Sequence, residues 1–377
     1  MAIKNFLYFF FSFFKIVFFT FVFILIIDFF FGNLILKITD NIWKKTNFYE
    51  RLFRIDHPVY HHTLKENITH NKALGIAGYY TLCTNENGFR ISCKPNANTK
   101  TNYNYDYVFI GDSFTEGVSL DYEDSFVGII DKELKPKKIA NLGVVSYGTK
   151  IYLSKINYYL NNGLKFDHLI VGIDISDLYN DDVFYKINND LIVTENFAKE
   201  KKLKIRKFLR KNFPFTNFYM YVFKKYGKYE IVDQETDQKI PKIGDKANLV
   251  ASWTYLKKDD QVEGYVSSTN IAQINMIKTM EQLYEILKKN KIKLSVLIYP
   301  WPQQLEKDNE NSIHVKMWED FCKLKCEHFI NLFPVFFDEL KDNSFLNTYK
   351  KYYFWNDVHF NKNGNKLLAE EILKVIN

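Results

Sequence analysis

What this chain lacks narrows its chemistry. Its four cysteines fall in two close pairs, Cys83 with Cys93 and Cys322 with Cys326. Neither pair has C-x-x-C spacing, and no histidine spacing completes a tetrahedral set, which argues against a zinc centre. Four of the eight histidines, His57, His61, His62 and His70, precede the first strand of the α/β region. Three of them would share a helix face. Pro58 breaks a helix there, however, and no carboxylate or cysteine cluster joins them. No metal or other cofactor is expected. Arginine-rich tracts and base-stacking motifs are missing too. The formal charge of +7 is carried mainly by lysine and spread over a chain rich in both signs. Nucleic acid is therefore not an expected partner, and anionic lipid is a better use of the surplus.

A small-residue cleavage site near the N-terminus is also missing. Residues 6–31 are almost entirely apolar, with charge only at Lys15 and Asp28. About 20 such residues span a bilayer core. No small-residue cleavage site follows, so the run reads as a retained membrane anchor. Lys4 and Lys15 lie before or within it, and Lys37, Lys44 and Lys45 after it, so lysine placement does not orient the span. The paired cysteines favour an extracytoplasmic, periplasmic location for the rest of the chain. Two disulfides and four free thiols both remain open readings. Asn67-Ile68-Thr69 is a glycosylation sequon, meaningful only in a eukaryotic secreted context.

What is present divides into an anchor (1–36), a lead-in segment (37–104) and an α/β domain (105–377) with an insertion at about 180–265. Apolar runs predict strands at 106–110, 138–142, 167–175, 293–299 and 329–333. Helical spacing predicts helices at 125–134, 149–161, 271–290, 315–326 and 367–376. Such alternation argues for a parallel sheet covered on both faces, with ligands outside the carboxyl ends of its strands. The insertion is too long for a plain crossover. Within it, Lys199–Lys211 is densely basic, with Ile205, Phe208, Leu209 and Phe213 on one helical face. That stretch reads as a solvated helix with one buried stripe, or as a helix lying on anionic lipid. The aromatic run Phe213–Tyr229 reads as a lid or subdomain.

Two stretches carry chemistry. Tyr107-Val-Phe-Ile-Gly-Asp-Ser-Phe-Thr-Glu-Gly117 is a buried strand running into a bend with a serine on it. A strand end that feeds a helix exposes a side chain beside free backbone N–H groups, which suits a nucleophile and an oxyanion. A loop that merely contains a serine has the same local pattern. Near the C-terminus stands Trp355-Asn-Asp-Val-His-Phe-Asn-Lys-Asn-Gly364. A nucleophilic serine needs a base, and the base needs an orienting group. Asp357 and His359, two residues apart in a loop, can lie close enough for the carboxylate to hold the imidazole. His359 alone also fits a helix-entry histidine beside a capping Asn361.

Together the two stretches resemble the SGNH/GDSL hydrolase superfamily. Gly111-Asp-Ser113-Phe-Thr-Glu-Gly117 is similar to the family's first block, and Asp357-Val-His359-Phe-Asn-Lys-Asn-Gly364 to its last. Asn141-Leu-Gly143-Val-Val-Ser-Tyr-Gly148 and Asp167-His-Leu-Ile-Val-Gly-Ile-Asp-Ile-Ser-Asp177 resemble the second and third. Asn87-Gly88-Phe89-Arg90 resembles the lead-in of membrane-linked bacterial members. The resemblance implies a flavodoxin-like α/β/α sandwich. It implies Ser113 as nucleophile, His359 as base and Asp357 as the orienting acid. Asp112, Ser146, Ser176 and Asp177 would then be the oxyanion and binding residues. Three positions depart from the family pattern. Ser146 stands where an oxyanion glycine is usual, and Ser176 where an asparagine is usual. The common Asp-x-x-His spacing would place the acid at Asn356, so Asp357 takes that role through an Asp-x-His spacing.

The family reading separates the chain from α/β-hydrolases, whose Gly-x-Ser-x-Gly is replaced here by a serine followed two residues later by Thr115. The expected function is a membrane-anchored serine esterase or O-acyltransferase. Its expected substrates are acyl groups, chiefly acetyl, on envelope or exported glycans. A catalytically impaired envelope binding or assembly protein and a lipid esterase are the alternatives.

Overall fold

The computed structural model describes residues 2–43, 53–94, 104–196, 208, 209, 212, 213, 215, 216, 245–255 and 264–377. Two compact units emerge, one from residues 1–48 with 197–239, the other from 49–196 with 240–377.

In the first unit, Ala2–Trp43 form one helix, α1, which runs past the expected anchor boundary at 36. Its stretch Phe11–Gly32 is long and apolar enough to cross a membrane. Most of its large apolar side chains stand exposed, as lipid-facing groups would. Asp28 is buried, and its carboxylate accepts the N–H groups of Phe215 (2.9 Å) and Thr216 (2.6 Å). A carboxylate in an apolar span is costly unless it is hydrogen-bonded, and these donors meet that need. Most of Lys199–Lys211 and of Phe213–Tyr229 lies outside the described residues.

The second unit opens with a hairpin, β1 (Arg54–His57) and β2 (His61–Leu64). Three antiparallel strands follow: β3 (Thr69–Leu74), β4 (Tyr79–Thr84) and β5 (Arg90–Ile91). Asn87-Gly88 makes the turn between β4 and β5, with Gly88 at φ 72°. The Cys83–Cys93 disulfide closes that hairpin, and Cys322–Cys326 is the second bridge. Then come β6 (Asn104–Ile110), β7 (Ile139–Asn141) and β8 (Lys165–Ile173). A small separate pair, β9 (Tyr185–Ile187) and β10 (Val193–Glu195), precedes β11 (Lys293–Ile298) and β12 (His328–Asn331).

One eight-stranded sheet has the order β12-β11-β8-β6-β7-β5-β4-β3. Strands β6, β7, β8, β11 and β12 are mutually parallel. Taken in chain order they lie 2-1-3-4-5, the flavodoxin-type arrangement, whose order reverses between β6 and β8. His168–Ile173 of β8 is buried throughout, as a central strand covered on both faces must be. Right-handed crossovers at such a reversal send helices to opposite faces. Helix α2 (Ser113–Glu116) is one turn long. Helix α3 (Phe126–Glu133) packs with the final helix, Lys362–Ile376, while α4 (Thr149–Asn161) packs with Thr269–Lys289.

The lead-in segment joins the main sheet. Strand β5 pairs antiparallel with β7, Arg90 opposite Asn141, so β3–β5 extend the sheet beyond its parallel edge. The sequence pattern missed these strands because β1 and β2 have four residues each and β3–β4 slips register between His70 and Ala73. Two-residue alternation over such lengths is faint.

Candidate active site

Three adjacent parallel strands end beside one another and set the site. Ile110 of β6 pairs with Val171 of β8, and Ile298 of β11 with Ile173 of β8. The residues just past those ends are therefore neighbours: Gly111-Asp112-Ser113, Asp174 and Pro300-Trp301. This is the strand-order reversal, where the splayed crossovers leave a crevice.

Ser113 opens α2, and Asp112 caps it by accepting the Phe114 N–H at 2.9 Å. Two glycines let the turn close. A Cβ on Gly111 would lie 2.1 Å from Thr115 Oγ1 and 2.9 Å from the Gly172 carbonyl. A Cβ on Gly143 would lie 2.6 Å from the Glu116 nitrogen. The turn is fixed from three directions. Asn141 Nδ2 donates to the Thr115 carbonyl (2.7 Å). Buried Glu116 accepts from Arg54 (2.5 Å) and from the Val145 N–H (2.8 Å). Fully buried Arg90 donates to the carbonyls of Glu116, Gly117 and Leu120.

His359 and Asp357 arrive on the loop before the final helix. That loop is rigidly held. The Phe354 N–H donates to the His359 carbonyl (2.9 Å), and the Tyr349 hydroxyl lies 2.8 Å from the carbonyls of both Phe354 and Asp357. Asn361 caps the helix by accepting from Asn363 (2.9 Å) and Gly364 (3.1 Å), which starts it five residues before the expected 367.

The structure brings Ser113, His359 and Asp357 into one line. Ser113 Oγ lies 2.7 Å from His359 Nε2, and His359 Nδ1 lies 2.5 Å from Asp357 Oδ1. Both side chains of the pair remain partly exposed, 20% for His359 and 29% for Asp357, while Ser113 itself is buried. Burial by itself lowers the His359 pKa, but the charge and hydrogen bond of Asp357 outweigh it and raise the imidazole above 6.5. Burial by itself raises Asp357, and His359 outweighs that and holds the carboxylate below its usual range. Phe114 forms the apolar wall of the site, its ring centroid 4.8 Å from His359, 4.9 Å from Tyr299 and 5.3 Å from Phe360.

The other expected residues sit as follows. Asp112 Oδ2 is 3.1 Å from Ser113 Oγ. Ser146 is exposed, with φ 65°, and its carbonyl accepts from the Tyr185 hydroxyl (2.7 Å). Ser176 turns its N–H onto Asp174 Oδ1 (2.7 Å). Asp177 is fully buried and accepts from the Tyr152 hydroxyl (2.9 Å) and the Asp174 N–H (3.2 Å), with no contact to Ser113.

Asp174 and Trp301 were not among the expected residues. Trp301 Nε1 donates to Asp174 Oδ2 at 2.9 Å, and Asp174 is 1% exposed. Burial raises the Asp174 carboxyl above its usual range against the pull of those hydrogen bonds. The usable signal was position: Asp174 follows directly on β8, and Trp301 lies three residues past the end of β11.

His57, His61 and His62 of the lead-in are structural links. His62 Nε2 lies 2.9 Å from the Val145 carbonyl, which only accepts, so His62 carries its proton there and His61 donates from Nδ1 (2.8 Å) to His62 Nδ1. Burial depresses His62 to about 3 and His57 to about 4, so both are neutral. Among the described residues no group of three or more His, Cys, Asp or Glu side chains is placed to hold a metal ion.

No family model matches the chain, and no curated protein matches it. Solved structures similar to it include a lipolytic protein of the G-D-S-L family from Veillonella parvula, with 12% identity, TM-score 0.38, and 72% of this chain and 97% of that one covered. A putative lipolytic protein of the G-D-S-L family from Desulfitobacterium hafniense has 14% identity and TM-score 0.37, over 73% of this chain and 100% of that one. A catalytic mutant of an acetylxylan esterase from Geobacillus stearothermophilus has 12% identity and TM-score 0.38, over 72% and 94%.

Proposed function

We propose that the protein is a membrane-anchored serine esterase or O-acyltransferase of the SGNH type, acting on acyl, chiefly acetyl, esters of envelope or exported glycans. The observation that carries the reading is the Ser113–His359–Asp357 line, assembled from opposite ends of the domain at the carboxyl edge of a parallel sheet. Ser113 Oγ attacks the ester carbonyl and its proton passes to His359 Nε2. His359 returns that proton to the leaving alcohol. Asp357 fixes the ring so that Nε2 faces the serine, and it stabilises the imidazolium. Water then releases the acyl group, or a sugar hydroxyl takes it over. For the oxyanion we assign the N–H groups of Ser113, which is at the first position of α2 and has no acceptor within the helix, and of Ser146. The Ser176 hydroxyl suits that role less, since it and the Ser176 N–H both bond to Asp174. The paired cysteines, both bridged, support a site outside the cytoplasm, and α1 supports anchoring.

The test is turnover of a nitrophenyl acetate by the full chain in detergent micelles. Ser113→Ala is expected to lose roughly a thousandfold or more. Turnover equal to wild type overturns the hydrolytic reading. If acetyl transfer to a glycan acceptor is then also absent from both, the protein is a binding or assembly protein on this fold.

A further inference from the structure

The hydrogen bonds around Ser113 need one more proton than the serine has. Ser113 Oγ lies 2.7 Å from His359 Nε2 and 3.1 Å from Asp112 Oδ2. A hydroxyl has a single proton to donate. If Ser113 attacks as proposed above, that proton points at His359. The contact with Asp112 is then oxygen against oxygen, and it is attractive only if the carboxyl supplies the proton. Asp112 Oδ1 already accepts the Phe114 N–H at 2.9 Å, which leaves Oδ2 as the oxygen that carries it.

The surroundings favour the neutral acid. Asp112 is 3% exposed. Asp174 stands beside it at the end of the adjacent strand and takes two N–H donors, Ser176 and Trp301 Nε1, so it is the better placed of the two to bear a charge. Asp177, fully buried, lies behind, with the phenols of Tyr152 and Tyr299. The Tyr299 hydroxyl is buried and has no hydrogen-bond partner. The base facing this group of acids is His359. Among the described residues no lysine or arginine forms an ion pair with Asp112, Asp174 or Asp177. Burial, then the charge of Asp174, holds the Asp112 carboxyl well above the usual carboxylate range.

We propose that Asp112 works as a neutral carboxylic acid that donates a hydrogen bond to Ser113 Oγ, directing the serine proton to His359 and steadying the same oxygen when it leaves the acyl group. The inference rests on Ser113 as nucleophile. No proton leaves Asp112 during turnover. The serine proton goes to His359 and on to the departing alcohol. A proton from water or the acceptor hydroxyl then goes to His359 and back to Oγ. An ionised Asp112 would place a second negative charge beside the developing oxyanion, so activity falls when its proton is lost.

The experiment follows kcat/KM for a nitrophenyl acetate against pH, using the full chain in detergent micelles. Wild type is expected to give an acid limb from His359 and an alkaline limb from Asp112. Asp112→Asn keeps an N–H donor at every pH. It should lose the alkaline limb while falling no more than about tenfold at neutral pH. Asp112→Ala should fall further, by roughly tenfold to a hundredfold beyond Asn. An unchanged alkaline limb in Asp112→Asn, or a loss in Asn as large as in Ala, overturns the proposal. Infrared difference spectra across the alkaline titration give a readout without turnover. One component of the neutral carboxylic acid C=O stretch should disappear in wild type and be missing from Asp112→Asn, which keeps only the contribution of other buried acids such as Asp177; identical spectra overturn the proposal. Ser113→Ala keeps the two failures apart. If it is as active as wild type, the nucleophile assignment is what failed, and the infrared result alone judges the protonation of Asp112.

Discussion

Replacing Arg90 by methionine should cost about as much stability as any single substitution in this fold. The guanidinium is 1% exposed and donates to the carbonyls of Glu116, Gly117 and Leu120, and at 3.4 Å to that of Thr81. Methionine fills a similar length but donates nothing. The carbonyls of Glu116 and Leu120 would be left buried and unpaired, at about 1–3 kcal/mol each, and that of Gly117 would keep only the Leu120 N–H (3.3 Å). Part of that is recovered, because a buried cation no longer has to be kept out of water. The net expectation is a loss of about 3–5 kcal/mol, against a total of about 5–15 kcal/mol for a domain. Activity should fall with it, since the freed backbone is the segment that follows Ser113 and includes Glu116, which holds Arg54 and Val145. The assay is urea unfolding of the full chain in detergent micelles by tryptophan fluorescence, with kcat measured below the transition. Arg90→Lys should be intermediate, because one ammonium reaches fewer of the carbonyls. A loss under about 1 kcal/mol with unchanged kcat would refute the reasoning. The loop would then be held by its own turns, with Arg90 merely enclosed.

Asp357→Asn should move the acid limb of kcat/KM to lower pH. Asp357 outweighs burial in raising His359 above 6.5, so removing its charge lets the imidazole titrate lower. Turnover should fall roughly a thousandfold or more; a limb that stays in place counts against the pairing. Asp177→Asn should change how stability depends on pH. Burial, followed by the charge of Asp174, raises the folded-state pKa of Asp177, whereas the unfolded chain ionises near 3.8. Wild-type stability from this group is therefore fully present below that value. It is lost at about 1.4 kcal/mol per pH unit above it, until the folded carboxyl itself ionises. Asn removes that loss and forfeits one acceptor at constant cost, so its deficit should shrink as pH rises from about 5 to about 8; a parallel offset in thermal midpoints would contradict it. The Cys83–Cys93 bridge joins residues with a sequence separation of 10. Its replacement by two serines should lower stability by about 2–3 kcal/mol, read from the urea midpoint.

The parallel part of the fold was legible in the sequence because its strands are continuous apolar runs and its helices have a clear apolar period. Expected and observed strands at 106–110 and Asn104–Ile110, or 293–299 and Lys293–Ile298, differ by two residues or fewer. Ser113, Asp357 and His359 were legible for a different reason: each lies within a local stretch whose residue types have few other uses together. Errors of one or two residues matter most at the site itself. The third strand was expected to run to 175 and ends at Ile173. That shift makes Asp174 the side chain at the carboxyl edge and leaves Ser176 to hydrogen-bond to it. The lead-in was illegible for lack of length. Four-residue strands and a register slip leave no period to read, and their role appears only through pairing. Strand β7 has three residues and would be an open edge. Strand β5 covers it, and Arg90 from β5 then reaches the carbonyls behind Ser113. The lead-in segment is thus one of the supports of the serine. Shortening it should therefore lower turnover, read as kcat of the full chain.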